Sequence, residues 1–212
     1  TALDVAEWLY ADIASGSGAA CSAITVEIDR AAWVARNCDW LPSQLLRGHS
    51  IVIHEPPRGG SRIPILAMGI AGDIDVDTGI NAAGLWLHVH TMYAADAPSP
   101  AKPTLSWLFW AREALETCES LDDLDAMLAR VDRDRGMILV AIDSKTNERS
   151  VFECHRSSHV RHDAGLSFQC ATNHPSGKHP LDPERLARSR PGGTIRRREA
   201  LERLALVNHE WA

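Results

Sequence analysis

The residues best equipped for chemistry fall in two short runs near the start of this 212-residue chain. Cys21-Ser22-Ala23-Ile24-Thr25-Val26 alternates small or apolar residues with polar ones, the period of a β-strand. Ala35-Arg36-Asn37-Cys38-Asp39-Trp40 follows on what reads as the return strand of a hairpin turning near Asp29-Arg30. That return would bring Arg36 and Asp39 back beside Cys21, so a thiol, a cation and a carboxylate would share one end of a sheet. A free thiol has a pKa of about 8.5 and needs activation before it attacks a carbonyl. Arg36 would favour the thiolate, and Asp39 would accept hydrogen bonds from a nearby ammonium. The plain alternatives are a structural cysteine at a strand start and a surface Arg-x-x-Asp pair worth about 0–1 kcal/mol.

Strands are expected to position these groups. The pattern predicts strands over 21–28, 32–37, 50–54, 63–71, 85–90, 137–143, 150–155, 159–162 and 168–171, with turns at 55–60, 72–78, 82–84 and 144–147. Helices are predicted over 3–14, from a Thr104 cap through Trp107 and Trp110, from a Ser120 cap to about Val131, and over 194–206. Two sheets with helices packed outside them suit this order, an α+β fold.

Composition narrows the function classes. Hydrophobic residues make up 45% and charged residues 24%, ordinary for a globular chain able to bury a sizeable core. The net charge is −6, and Arg196-Arg197-Arg198 is the one basic tract, which argues against nucleic acid. No apolar run reaches the roughly 18 residues of a membrane span. Residues 1–20 as they stand lack the make-up of a secretory signal, and the chain begins with Thr, which leaves room for an upstream piece that has been removed; the compartment is therefore left open, with a slight lean to the cytoplasm. The five cysteines, 21, 38, 118, 154 and 170, include no Cys-x-x-Cys, and the last four read as small buried apolar residues. His88 and His90 share a strand face near Asp75 and Asp77, but no further ligand spacing supports zinc, so neither metal nor cofactor is expected.

Four motifs in order, Cys21-Ser22-Ala23-Ile24, Arg36-Asn37-Cys38-Asp39-Trp40, Gly79-Ile80-Asn81-Ala82-Ala83-Gly84-Leu85 and Ala171-Thr172-Asn173-His174, resemble the N-terminal-nucleophile cysteine hydrolases of linear amides. That superfamily includes bile-salt hydrolases, penicillin V acylases, acid-ceramidase-like amidases and isopenicillin N acyltransferases. The resemblance implies a four-layer αββα fold. Relatives usually continue past the final helix into more strands, so C-terminal strands are expected to be missing or supplied by a partner.

The resemblance also implies a mechanism. Cleavage before Cys21, after the small residues Ser15 to Ala20, would free an α-amino group with a pKa of about 7.7–8.0 to act as base on its own residue's thiol. Residues 1–20 would be a pro-segment or N-terminal helix and 21–212 the amidase domain. Asn173 would donate to the oxyanion, its alternative being an Asx turn before Pro175. Relatives carry a second oxyanion Asn where this chain has His90 and Thr91. A C-terminal arginine corresponds to Arg196, with Arg197 as the other register. Trp40, Asn81, His90, Thr91 and Met92 are placed around the substrate, although Asn81 reads chiefly as structural within its Gly-x-Asn-x-x-Gly turn. Trp33, Trp40, Trp86 and Met92 suggest an apolar acyl pocket. The expected partner is a small amide, with a homo-oligomer or complementing segment left open. The readings carried forward are an amidase working through a Cys21 acyl-enzyme, an acyltransferase to an amine, or a non-catalytic binding module on the same fold. A papain-like hydrolase lacks its local signature.

Overall fold

A computed structural model describes residues 20–39, 48–56, 62–72, 75–92, 94, 96–165, 168–176 and 193–207, apart from the side chains of Ala20, Asp39 and Leu108. The helix expected over 3–14, most of the 55–60 turn and Trp40 lie outside these residues.

Three antiparallel strands form the smaller sheet, ordered β12 (Phe168–Ala171), β1 (Ala20–Ile28), β2 (Ala31–Asp39). The larger sheet has seven, running from β11 (His159–Asp163) through β10 (Glu148–Cys154), β9 (Gly136–Asp143), β6 (Leu85–Met92), β5 (Thr78–Asn81) and β4 (Ile65–Ile70) to β3 (Ser50–Glu55). Strand periodicity gives the larger sheet two faces. Leu85, Leu87, Val89, Met137, Leu139 and Ala141 face helices α1 (Trp107–Thr117) and α2 (Leu121–Arg130), against the fully buried Trp110, Leu115, Leu124 and Leu128. Met92, Ile138, Val140 and Val151 point the other way, onto Ala23 and Ala171 of the smaller sheet. These alanines are register partners on β1 and β12, and their small side chains let the two sheets approach. Helix α3 (Thr194–Val207) covers the outer side of β1 and β12. The layers are therefore helix, sheet, sheet, helices.

Two expectations are corrected. Thr104 does not cap α1: Thr104–Leu105 is a short parallel strand (β7) paired with Asp132–Arg133 (β8), and Ser106 is the N-cap. The Gly79–Leu85 motif is more than a turn: Thr78–Asn81 is strand β5, absent from the predicted strands, and only its residue Thr78 fell within a predicted turn. Ser120 does cap α2, accepting from Asp123 N at 3.1 Å.

The Gly-x-Asn-x-x-Gly motif ties this hairpin to α1. A side chain at Gly79 would strike Leu115, and Gly84 has φ +88°, a conformation glycine adopts without strain. Asn81 Nδ2 donates to Leu115 O (2.9 Å) and Cys118 O (2.7 Å), carbonyls the end of α1 leaves unpaired, while its Oδ1 accepts from Leu85 N (2.9 Å).

Candidate active site

A two-residue turn sets the register around Cys21. Asp29 (φ 53°) and Arg30 (φ 63°) both have positive φ, the geometry that joins adjacent strands without splaying them. Ile28 then pairs with Ala31, and counting back along the ladder puts Cys38 opposite Cys21 and Asp39 opposite Ala20. Cys21 is buried at the head of the central strand, 4% exposed.

On the other side of β1, Ala23 pairs with Ala171, and continuing that register brings Asn173 to Cys21. The Cys21 backbone N–H donates to Asn173 Oδ1 at 2.7 Å. Asn173 Nδ2 donates to Thr91 O (2.9 Å) and Thr91 Oγ1 (3.2 Å), anchoring the side chain to the end of β6. Asn173 N donates to Thr194 Oγ1 (2.8 Å), which fixes the start of α3 against the loop. His174 Nδ1 lies 3.0 Å from Thr172 Oγ1 and 2.9 Å from Thr194 Oγ1, and burial lowers its pKa.

Helix α3 corrects the choice of C-terminal arginine. Residues three apart share a helix face, so Arg197 looks the same way as Thr194. Its Nε donates to Ser22 Oγ (3.1 Å), and its Nη2 to Cys21 O (3.3 Å) and Asn173 Oδ1 (2.9 Å). Arg196 sits one position earlier on the helical wheel and is exposed. The sequence left the register open because three successive arginines carry no phase of their own.

Arg36 lies opposite Ala23 on the inner face, and its Nη1 donates to Thr78 Oγ1. Asp77, weighed from sequence only as a metal ligand, interacts electrostatically with both Arg36 and Cys38. Burial raises its carboxyl pKa and Arg36 opposes the shift. Nothing in the spacing of Asp77 pointed to Arg36; the two interact because Arg36 reaches Thr78, the residue next to Asp77.

His88 and His90 form a buried polar floor, their ring centroids 4.4 Å apart. His90 Nδ1 faces Thr172 O at 3.0 Å, so Nδ1 carries the proton and Nε2 presents a lone pair with no partner among the described residues. Burial pushes His90 down to about 3 and holds His88 well below the usual imidazole range. Both rings are therefore neutral at ordinary pH. No cluster of three or more His, Cys, Asp or Glu among the described residues could hold a metal.

Other expected substrate contacts are placed differently. Asn81 works on the helix side of the larger sheet. Met92 fills the core between the sheets, and Trp33 is 59% exposed, so neither lines a pocket. Trp86 packs against that same core. A cavity of about 200 Å³ that includes His174 but neither Cys21 nor Asn173 is mixed rather than aromatic: Ile138 and Val151 join Glu153, His162 and Gln169. Cys38, expected to be an apolar filler, is only half-buried, and its thiol hydrogen-bonds Cys21.

The order of layers, helix, sheet, sheet, helices, is the N-terminal-nucleophile hydrolase fold. Solved structures share it. A Caenorhabditis elegans N-acylethanolamine-hydrolyzing acid amidase ortholog is 16% identical, with a TM-score of 0.59 over 74% of this chain and 71% of that one. A variant of conjugated bile acid hydrolase from Clostridium perfringens is 13% identical (TM-score 0.54, 79% of this chain, 56% of that one). Penicillin V acylase from Agrobacterium tumefaciens is 17% identical (TM-score 0.51, 79% and 55%). The chain thus spans little more than half the length of the latter two. By sequence it belongs to the acyl-coenzyme A:6-aminopenicillanic acid acyl-transferase family, which matches residues 26–209, with Cys21 just upstream. No curated protein matched the chain.

Proposed function

We propose that this chain hydrolyses linear amides through a Cys21 acyl-enzyme, after cleavage of the bond between Ala20 and Cys21. The observation that carries the reading is the short bond from Cys21 N to Asn173 Oδ1. In the cleaved chain that nitrogen is the α-amine, and Asn173 would hold it beside the thiol it must deprotonate. Arg36 lies two residues along β2 from the partner of Cys21, and Arg197 donates to the Cys21 carbonyl, so a cation stands near this residue on each side of the smaller sheet. The Asp39 backbone pairs with Ala20, the residue removed by cleavage, a position suited to orienting the new ammonium.

In the reaction, Cys21 Sγ attacks the amide carbonyl and the α-amine takes the thiol proton. The same proton passes to the departing amine as the C–N bond breaks. Water then attacks the thioester and releases the acid. Asn173 Nδ2 serves the oxyanion by exchanging its longer bond, to Thr91 Oγ1, for the substrate oxygen. Transfer to an amine instead of water is the second reading, favoured by the acyl-transferase family to which the chain belongs.

Intact mass and N-terminal sequencing, paired with a chromogenic amide burst assay, test this. A chain beginning at Cys21 and a stoichiometric acyl burst are expected, and Cys21→Ala should stay full length and silent. Turnover with Ala20 still attached would defeat the amine-base mechanism and make His90, with its unpartnered Nε2, the next base to examine. A folded, correctly processed chain with no burst would favour a binding module.

A further inference from the structure

Cys38 stands directly across the ladder from Cys21. Opposed residues in an antiparallel pair point to the same face, with Cα atoms about 4.5 or about 5.5 Å apart according to the type of pair. Both spacings fall in the roughly 4.4–6.8 Å window that a disulfide spans. The Cys21 side chain is near enough to push the Cys38 thiol pKa up through hydrogen bonding, and all five cysteines are free. The other three have different surroundings. Cys118 Sγ lies 3.9 Å from Met127 Sδ, Cys154 is fully buried, and Cys170 pairs with Ile24 on the α3 side of the smaller sheet. Of the described residues, Cys38 is therefore the one placed to react with Cys21.

We propose that Cys21 and Cys38 form a reversible oxidative modification site, closed by a peroxide. Cys21 thiolate attacks one peroxide oxygen and the O–O bond breaks. The departing oxygen takes a proton and leaves as water, and Cys21 becomes a sulfenic acid, oxidised by two electrons. Cys38 sulfur then attacks Cys21 sulfur. The S–S bond forms, the S–O bond breaks, and the hydroxyl leaves as water with the Cys38 proton. The sum is two thiols and one hydrogen peroxide to one disulfide and two waters. Cys38 keeps its proton until this step, because the hydrogen bond to Cys21 and its own burial both raise its pKa. Closure masks the sulfur needed for acyl transfer and keeps it from irreversible sulfinic acid. The cross-link rests on geometry alone; its effect on turnover rests on the reading of Cys21 as nucleophile.

The test treats the purified chain with hydrogen peroxide, alkylates the remaining thiols and maps peptides by mass spectrometry. A Cys21–Cys38 linked peptide is expected, with an intact mass lower by about 2 Da, and dithiothreitol should reverse it. Amide turnover should fall at least about tenfold and return with reduction. In Cys38→Ser, Cys21 should accumulate as sulfinic acid, and reduction should not restore it. Sulfinic acid at Cys21 of the parent with Cys38 still alkylatable, or a link from Cys21 to another cysteine, overturns the proposal. The peptide map reads the cross-link whether or not the chain turns over amides, so a linked peptide in a chain without turnover supports the site and counts against the amidase reading alone.

Discussion

Arg197→Met should damage both the fold and the chemistry, while Arg196→Met should damage neither. Arg197 makes three hydrogen bonds, at 2.9, 3.1 and 3.3 Å, to Asn173, Ser22 and Cys21. Hydrogen bonds to charged groups are worth about 1.5–3 kcal/mol each. Counting the two shorter ones at the lower value gives about 3 kcal/mol, and half-exposure to solvent brings this to about 2 kcal/mol. For a chain of this size that is a fall in Tm of about 4–8 °C. Methionine keeps the aliphatic stem, so packing against β1 should survive. Arg196 is exposed, and its replacement should stay within about 0.5 kcal/mol. Urea unfolding with unchanged m-value gives the stability difference. Amide turnover per folded molecule, below the transition, should drop at least about tenfold for Arg197→Met alone, a loss of about 1.4 kcal/mol in transition-state stabilisation. Equal effects from both variants, or an Arg197→Met protein as stable and active as the parent, would refute the placement of α3 on the site.

Asn81→Ala should cost about 3–5 kcal/mol, because it strands two buried carbonyls and one buried N–H, yet leave Cys21 thiol reactivity unchanged in the folded fraction; chemical unfolding with thiol titration separates the two. Ser120→Ala should cost about 1 kcal/mol in unfolding free energy through loss of the Asp123 cap bond. Asp39→Asn should lower turnover more than Tm if the carboxylate orients the α-amine, and parallel losses would contradict that role. His90 binds a proton in the unfolded chain near pH 6.5 but in the folded chain only near 3, so its contribution is intact above about 6.5 and is lost as pH falls. His90→Asn should therefore flatten the acid limb of stability against pH by about 1.4 kcal/mol per unit between those values, measured by urea unfolding.

Local pattern was enough for much of the frame. Alternation from Cys21 to Val26 and from Ala32 to Asn37, with Asp29-Arg30 between them, predicts the hairpin, because side-chain period and turn position are properties of neighbouring residues. The Ser120 cap and the Ser144–Asn147 turn were legible for the same reason. The four ordered motifs pointed to the fold, and Cys21, Arg36 and Asn173 do converge at one end of the smaller sheet. Three things were decided only by tertiary structure. Helix phase chose Arg197 over Arg196, since only docking on β1 and β12 defines an inward face. The Arg36–Thr78 bond between the sheets brought Asp77 into the field of Arg36, and burial set His88 and His90 as a neutral floor by removing the water that would have let them titrate. Antiparallel register turned Cys38 from an apparent core residue into the partner of Cys21, a pairing that depends on counting outward from a two-residue turn across a distance no local pattern spans.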